Sequence, residues 1–256
     1  MKTIAIIPAR MGSTRLPGKP MESIQGIPMI GHVFYRTKMA KKIDFTCVAT
    51  CDREIFHYIE SIGGFAVMTK DSHDRASDRA AEALLKVEKL HGITYDCVAM
   101  IQGDEPLLQP DDLDLAIDVL KENNSPNIVN LMGTIESESA FVDQNEVKVV
   151  TDLEGNALYF SRESIPSKWH GLKNLPMKKQ LGLIFFKRNL LLKFNALSQT
   201  PLEIIESVDM LRILENGDKI KMLDVKSQMI GVDTLDDLKK AETLMKSDSI
   251  FNRYCL

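Results

Sequence analysis

The stretch from Pro8 to Pro20 reads PARMGSTRLPGKP. It gathers three cations (Arg10, Arg15, Lys19), two glycines (Gly12, Gly18) and two hydroxyls (Ser13, Thr14). Glycines let backbone N–H groups approach an anion closely, and fixed cations and hydroxyls hold phosphate oxygens, so this mixture suits a polyphosphate. Two familiar phosphate loops do not fit. The Walker pattern G-x-x-x-x-G-K-[ST] fails because five residues separate Gly12 from Gly18 and Pro20 follows Lys19. The dinucleotide fingerprint G-x-G-x-x-G is absent. A solvated basic loop is the plain alternative. Against it stands the position: the loop follows the first apolar run, where an open parallel sheet binds its ligands.

Acidic residues recur at two similar places. Gln102-Gly103-Asp104-Glu105-Pro106 follows the apolar run Cys97–Ile101, and Gly231-Val232-Asp233-Thr234 precedes a helical pattern. Alone, Asp233 reads as a helix N-cap. With a triphosphate on the basic loop a second role opens, because Mg²⁺ takes one or two carboxylates and completes its shell with phosphate oxygens and water. Asp104 and Asp233 are the candidate pair, provided the fold brings them together.

The elements that must position these groups alternate regularly in the first half. Apolar runs at Thr3–Ile7, Phe45–Thr50, Phe65–Met68 and Cys97–Ile101 predict strands. Helical spacing covers Met29–Ala40, Arg53–Ile62, Ser77–Leu90 and Asp111–Leu120. That alternation calls for a parallel sheet covered on both faces. The second half is less regular. A hairpin is predicted from Val147–Thr151 and Ala157–Phe160, an apolar run at Leu181–Phe186, and helices over Leu202–Asn216 and Thr234–Met245. The fold class is thus α/β: a Rossmann-like, mostly parallel sheet with helices on both faces and an inserted smaller sheet. No repeat or linker divides the chain, so residues 1–256 are expected to form one domain.

Composition narrows the classes. With 256 residues, 32 Lys and Arg, 36 Asp and Glu, 44% hydrophobic and 27% charged residues, the chain has the balance of an average globular protein. It is not collagenous, disordered or disulfide-stapled. A pI near 5.8 and scattered basic residues argue against a nucleic-acid partner. Cys47, Cys51, Cys97 and Cys255 form no CxxC pair, so no zinc ribbon is expected; Cys47 and Cys97 read as buried thiols. Met1–Pro8 lacks the apolar core of a signal peptide, and no run is long enough to span a membrane, so a cytoplasmic protein without a membrane partner is expected. His32 and His57 lack ligand spacing and read as surface or partly buried structural residues.

Taken together, IIPARMGSTRLPGKP (residues 6–20), VAT (48–50), SDRAAEA (77–83), QGDEP (102–106), NEVKVV (145–150), ALYFSR (157–162), PLEIIESVDMLR (201–212) and GVDTLDDL (231–238) resemble the 3-deoxy-manno-octulosonate (KDO) cytidylyltransferases. They occur in family order along nearly the whole chain. The resemblance implies a nucleotidyltransferase-like fold, a homodimer, and transfer of CMP from CTP to the anomeric hydroxyl of a small anionic acceptor, a 2-keto-3-deoxy sugar acid, with Mg²⁺ as cofactor and pyrophosphate released. Carried over by residue, Arg10, Ser13, Thr14, Arg15, Lys19, Arg79 and Asp104 would bind the nucleotide, with Lys19, Arg10 and Asp104 as the catalytic groups. Asp104 and Asp233 would hold the metal. Gln102, Arg162, Gln180, Glu206 and Arg75 would line the acceptor site, Arg162 facing the acceptor carboxylate. In-line attack gathers negative charge on the nonbridging oxygens and the departing pyrophosphate, which prearranged cations and metal stabilise. The residues offer no obvious general base, which leaves activation of the hydroxyl to direct metal coordination.

Five positions depart from the family pattern. Arg75 and Ala76 stand for the Ser and Gly of S-G-T-[D/E]-R, Gln180 and Ile184 for the His and Tyr of H-x-G-[I/V]-Y, and Cys51 for the Asp of A-T-D. Losing an imidazole and a phenol on the acceptor side would leave substrate hydroxyls unpaired at a cost of about 1–3 kcal/mol each. Three readings follow: a KDO enzyme with drifted residues, a cytidylyltransferase for a modified sugar acid or another small anion such as a phosphonate, or a catalytically silent nucleotide-binding homologue. Trp169 and His170, in the polar segment Ser167–Asn174, read as a flap near the acceptor, or equally as a surface patch or dimer contact.

Overall fold

The structure is a computed structural model that describes residues 1–13, 15–122, 126–171 and 175–255. In chain order its strands are β1 (Thr3–Ala9), β2 (Ser23–Ile24), β3 (Ile27–Pro28), β4 (Phe45–Thr50), β5 (Ala66–Met68), β6 (Cys97–Ile101), β7 (Ile128–Thr134), β8 (Lys148–Thr151), β9 (Ala157–Ser161), β10 (Lys178–Lys187) and β11 (Lys221–Asp224). The helices are α1 (Met29–Lys38), α2 (Arg53–Ser61), α3 (Ala76–His91), α4 (Pro110–Lys121), α5 (Glu138–Val142), α6 (Arg188–Ala196), α7 (Pro201–Glu206), α8 (Met210–Glu215) and α9 (Leu235–Met245).

Among the described residues the main sheet runs β11-β7-β10-β6-β1-β4-β5. β1 pairs in parallel with β4 and β6, and β11 with β7, whereas β10 runs antiparallel to both β6 and β7. The expected hairpin is β8–β9, and it joins the main sheet through β10 rather than standing apart. A separate two-stranded antiparallel sheet, β2–β3, follows the basic loop.

The strands are apolar along their whole length because both faces are covered. Alternation then divides one strand between two cores. Ile4 and Ile6 of β1 face the core with Leu84, Val98, Met100 and Phe186, and Ala5 and Ile7 face the one with Val33, Ala99, Ile117 and Phe185. A third cluster joins Leu16 of the basic loop to Leu107, Val232 and Met245. It ties the loop to the segment that carries Asp233.

Several expectations need correction. Leu202–Asn216 is two short helices, α7 and α8, because Ser207 takes a left-handed conformation (φ 52°) between them. β2, β3, β7, β11, α5 and α6 have no counterpart among the elements the sequence predicts. His32 is fully buried, with Nδ1 2.8 Å from the Tyr254 hydroxyl and Nε2 2.8 Å from the Ile24 carbonyl oxygen. Burial first of all holds its pKa below the usual imidazole value. Cys47 and Cys97 are buried as expected. No helix among the described residues is long and apolar enough to cross a membrane.

Candidate active site

Parallel pairing fixes where the site lies. β1 and β6 are neighbours in register (Ile6 opposite Met100), so the chain leaves both at one edge, at Arg10 after β1 and at Gln102 after β6. β10 enters the sheet at this same edge, with Leu183 opposite Ile101, so Gln180 arrives beside them.

The basic loop is folded on itself. The Met11 carbonyl accepts from the N–H of Ser13 (2.8 Å) and of Gly18 (3.1 Å), and Asp52 accepts from the Met11 N–H (2.8 Å). Gly18 sits at φ 74°, a conformation that a side chain would strain, and it turns the chain into the 3-10 turn that begins at Lys19. Asp52, beside the departing Cys51, thus supports the loop.

Lys19 ends between Asp104, just past β6, and Asp233, just before α9. Its Nζ lies 2.7 Å from Asp104 Oδ2, 2.9 Å from Asp233 Oδ1 and 3.0 Å from the Val232 carbonyl. Burial works against the ammonium, but the two carboxylates outweigh it and raise its pKa above the usual lysine value. Arg15 Nη2 also reaches Asp233 Oδ1 at 2.9 Å. A backbone bond from Val232 N–H to the Asp104 carbonyl (2.9 Å) stitches the two acidic segments together.

The convergence of Asp104 and Asp233 bears on a metal. A cation, the Lys19 ammonium, already rests against both carboxylates, and both line the cavity described below. No cluster of three or more acidic, His or Cys ligands occurs among the described residues. Two carboxylates with phosphate oxygens suit Mg²⁺, which does not need a full protein cage. The charges also call for it. Lys19 and Arg15 are cancelled by Asp104 and Asp233, so an arriving triphosphate needs further positive charge. The residues fit the ion.

Two adjoining cavities open here. The first, about 310 Å³, is lined by the loop (Arg10, Gly12, Ser13, Arg15, Lys19), by His73 to Ala76 and Arg79, and by Gln102 to Asp104 and Asp233. The second, about 420 Å³, extends towards Glu105, Asn145, Arg162, Gln180, Gly182 and the Ser207–Asp209 turn. Arg15, Arg75, Gln102, Asp104 and Asp233 line both. A group held in one cavity is therefore beside a group held in the other.

The expected nucleotide-side residues Arg10, Ser13, Arg15, Lys19, Arg79 and Asp104 all line the first cavity; Thr14 lies outside the described residues. Arg79 is nearly fully buried. Its Nη1 donates to Thr69 Oγ1 (2.5 Å) and the Lys70 carbonyl (3.2 Å), while its Nη2 is left without a partner. That nitrogen is buried rather than open to the cavity, so Arg79 borders the site as a fixed positive charge, with Cys51 beside its guanidinium.

The wall from Lys70 to Arg75 is pinned by Glu82. Its carboxylate accepts from Lys70 N–H (3.0 Å), contacts His73 Nε2 and pairs with Lys86 Nζ (2.6 Å). Desolvation opposes ionisation, but these partners prevail and hold the carboxyl at about 2. A depressed pKa contributes stability above the unfolded value, which is lost as pH falls through the folded one. Wild-type stability is thus expected to drop between about pH 4.5 and pH 2 partly through this group. Glu82→Gln should flatten that part of the curve, read by urea unfolding across pH, and should cost about 1–2 kcal/mol at pH 7.

On the acceptor side Gln102, Arg75, Arg162 and Gln180 line the second cavity. Arg162 is oriented by carbonyls: Nε donates to Glu206 (2.8 Å) and Nη1 to Gln144 (2.8 Å). Arg75 lies 3.8 Å from Glu203. Glu206 departs from expectation. It is not among the lining residues, because its carboxylate accepts from the Ser161 hydroxyl (2.8 Å), the Arg162 N–H (2.9 Å) and the Tyr159 hydroxyl (3.2 Å). It holds the end of β9 and the Arg162 backbone in place. Ile184 is also not on the wall; it is 1% exposed within the core beside Met100 and Phe186. Trp169 is 86% exposed and lines neither cavity.

Glu105 follows Asp104 on the carboxyl edge, and its residue type alone assigns it no role. It is 5% exposed and lines the second cavity; its Oε1 accepts the Gly182 N–H (3.0 Å), while its buried Oε2 has no partner. Burial and then the neighbouring Asp104 push its carboxyl up to about 7. The signal lies in QGDEP, where Glu105 stands four residues beyond the end of an all-buried strand.

A cationic glycine loop and paired carboxylates at the carboxyl edge of an α/β sheet, with a second cavity sharing their wall, define a nucleotidyltransferase-like enzyme. Residues 4–220 match the family model described as cytidylyltransferase. A 3-deoxy-manno-octulosonate cytidylyltransferase of Trichlorobacter lovleyi is 41% identical over 96% of this chain and 99% of its own length. Another, of Thermodesulfovibrio yellowstonii, is 42% identical over 97% of this chain and 100% of its own. Among solved structures, a CMP:2-keto-3-deoxy-manno-octonic acid synthetase complexed with CTP superposes with a TM-score of 0.86 at 32% identity, covering 96% of this chain and 99% of that one. The chain belongs to the 3-deoxy-manno-octulosonate cytidylyltransferase family and is a CTP-dependent cytidylyltransferase.

Proposed function

We propose that this enzyme transfers CMP from CTP to the anomeric hydroxyl of 3-deoxy-manno-octulosonate, releasing pyrophosphate. The names of its relatives support the acceptor. The observation that carries the reading is the shared wall, with Arg15, Arg75, Gln102, Asp104 and Asp233 bordering both cavities. It lets an acceptor hydroxyl approach a bound α-phosphate without crossing open solvent.

Gly12, Ser13, Arg10, Arg15 and Lys19 would hold the triphosphate, and Arg79, behind the cavity wall, would add positive charge on the nucleotide side. The acceptor, with Arg162 facing its carboxylate, lies in the second cavity. The anomeric oxygen forms the new bond to the α-phosphorus as the α–β bridging bond breaks. Pyrophosphate carries the departing charge into the cationic loop, and the hydroxyl proton is lost to a nearby base or water. Asp104 and Asp233 would hold Mg²⁺, which neutralises phosphate charge and lowers the pKa of an oxygen bound to it. Exposed Leu158, Ile204 and Ile205 offer apolar surface to the homodimer that the family resemblance implies.

A second reading keeps the chemistry and changes the acceptor to a modified sugar acid or another small anion such as a phosphonate. Gln180, an amide on the cavity wall where the family carries an imidazole, favours it; the core position of Ile184 removes its other support. Pyrophosphate release, measured for four nucleoside triphosphates against KDO, related 2-keto acids and a phosphonate, distinguishes the two. CTP with KDO is expected to turn over. Turnover with another acceptor and none with KDO would establish the second reading, and no release with any pair would contradict both.

A further inference from the structure

Asn130 sits in the middle of β7, fully buried, between the apolar Val129 and Leu131. A buried amide is costly unless its polar atoms are all paired. Here they are. Its Nδ2 donates to the carbonyls of Leu181 (2.9 Å), Leu183 (3.1 Å) and Leu131 (3.2 Å), and its Oδ1 accepts from Gln180 Nε2 (2.7 Å). Leu181 and Leu183 lie where the register between β10 and β7 slips, between Gln180 and Ile184.

These bonds settle which way both amides point. Three carbonyl oxygens surround Nδ2, so reversing Asn130 would set oxygen against oxygen. Its Oδ1 must face Gln180, and only a donor, Nε2, can meet it. Gln180 Oε1 is then left over. It accepts no hydrogen bond among the described residues, and Gln180 lines the acceptor cavity. The irregular stretch of β10 is gripped from the other side as well. Glu105 Oε1 holds the Gly182 N–H, and the Gln102 side chain lies where a Cβ at position 182 would come within 2.8 Å of it.

We propose that Asn130 is a positioning residue for the acceptor: it pins the β10 irregularity and turns Gln180 so that an oxygen faces the cavity, selecting acceptors that offer a hydroxyl or ammonium hydrogen there. The identity of that cavity as the acceptor's rests on the function proposed above. An acceptor presenting a carboxylate or phosphonate oxygen at this point is disfavoured.

The test is the separation of KM for KDO from KM for CTP in Gln180→Glu, Gln180→Ala, Asn130→Ala and the Asn130→Ala/Gln180→Ala double variant. Gln180→Glu keeps the size and an oxygen but removes the donor that meets Asn130, and it should raise KM for KDO about tenfold or more with KM for CTP within twofold. Asn130→Ala and Gln180→Ala should each raise KM for KDO about tenfold, and the double variant no further, since one acts through the other. Should Asn130→Ala fail to fold, the two Gln180 variants carry the test. The wild-type ¹⁵N side-chain amide spectrum reads the orientation without turnover: one Gln180 Nε2 hydrogen should be protected from exchange. Unchanged KM for KDO in Gln180→Glu, additive effects in the double variant, or an unprotected Gln180 amide would each overturn the proposal. A wild type inactive on KDO would instead overturn the proposed function, leaving the amide spectrum to decide the orientation.

Discussion

Asp104→Asn is expected to reduce pyrophosphate release by at least about 10²–10³-fold, the scale of losing one electrostatic contact to a charged transition state. The change removes one charge and almost no volume. Asp104 shares the Lys19 ammonium with Asp233, so Lys19 keeps a carboxylate partner at 2.9 Å and is not left buried and unpaired. The melting temperature should therefore move little. That split, lost turnover with a retained fold, separates a residue used in the reaction from one used to hold the loop. A variant with near wild-type turnover would remove Asp104 from the chemistry. The lever is strong because Asp104 and Asp233 offset Lys19 and Arg15 in the free protein, which leaves the triphosphate to Arg10, Arg75 and Arg79 and to a cation held by the carboxylate pair.

The second large effect is on stability. Glu203 is completely buried in α7 and is gripped by Arg212 of α8 through Nε (2.8 Å) and Nη2 (2.5 Å). Arg212 is 3% exposed, donates through Nη1 to the Phe194 and Leu197 carbonyls and stacks 4.6 Å above the Phe194 ring. Glu203→Ala strands this guanidinium without its counter-charge, at a cost of about 3–5 kcal/mol. In a chain of this size that should lower the melting temperature by roughly 10 °C. The Glu203→Leu/Arg212→Met double variant should be more stable than the single one, because the buried guanidinium is then removed together with its partner. Calorimetry on both checks it; a double variant no better than Glu203→Ala would contradict the argument. The pair matters to the site as well, since the turn between α7 and α8 supplies Ser207, Val208 and Asp209 to the acceptor cavity.

The same region shows why the sequence was only partly legible. β4 and β6 lie where the apolar runs predict them, because strands covered on both faces read as short, nearly continuous hydrophobic runs. β7 was missed because Asn130 and Gly133 interrupt its run, and Asn130 is there to pair with β10 rather than to fill a core. Residues 202–216 read as one helix because their apolar spacing continues across Ser207. Nothing in that spacing reveals a left-handed residue at the break.

The basic loop and Asp104 are readable from residue type and place, because parallel strands deliver their carboxyl ends to one edge; Asp233, on the loop before α9, is not placed by that rule. Depth was not readable. Gln180 and Ile184 are four positions apart on one strand, yet the first borders a cavity and the second is sealed in the core. Glu206 has the charge of a ligand, but its carboxylate is already taken by Ser161, Tyr159 and the Arg162 backbone. Sequence shows which groups are available; only the fold shows which are already engaged.

A crystal structure of the enzyme with CTP bound is the most direct test. The triphosphate should lie along residues 10–19, within hydrogen-bonding distance of Arg15 and Lys19 and beside Asp104 and Asp233, with its α-phosphate facing the Gln180 cavity. A triphosphate bound instead in the separate cavity at the opposite edge of the sheet, near Arg188 and Lys193, would contradict the account.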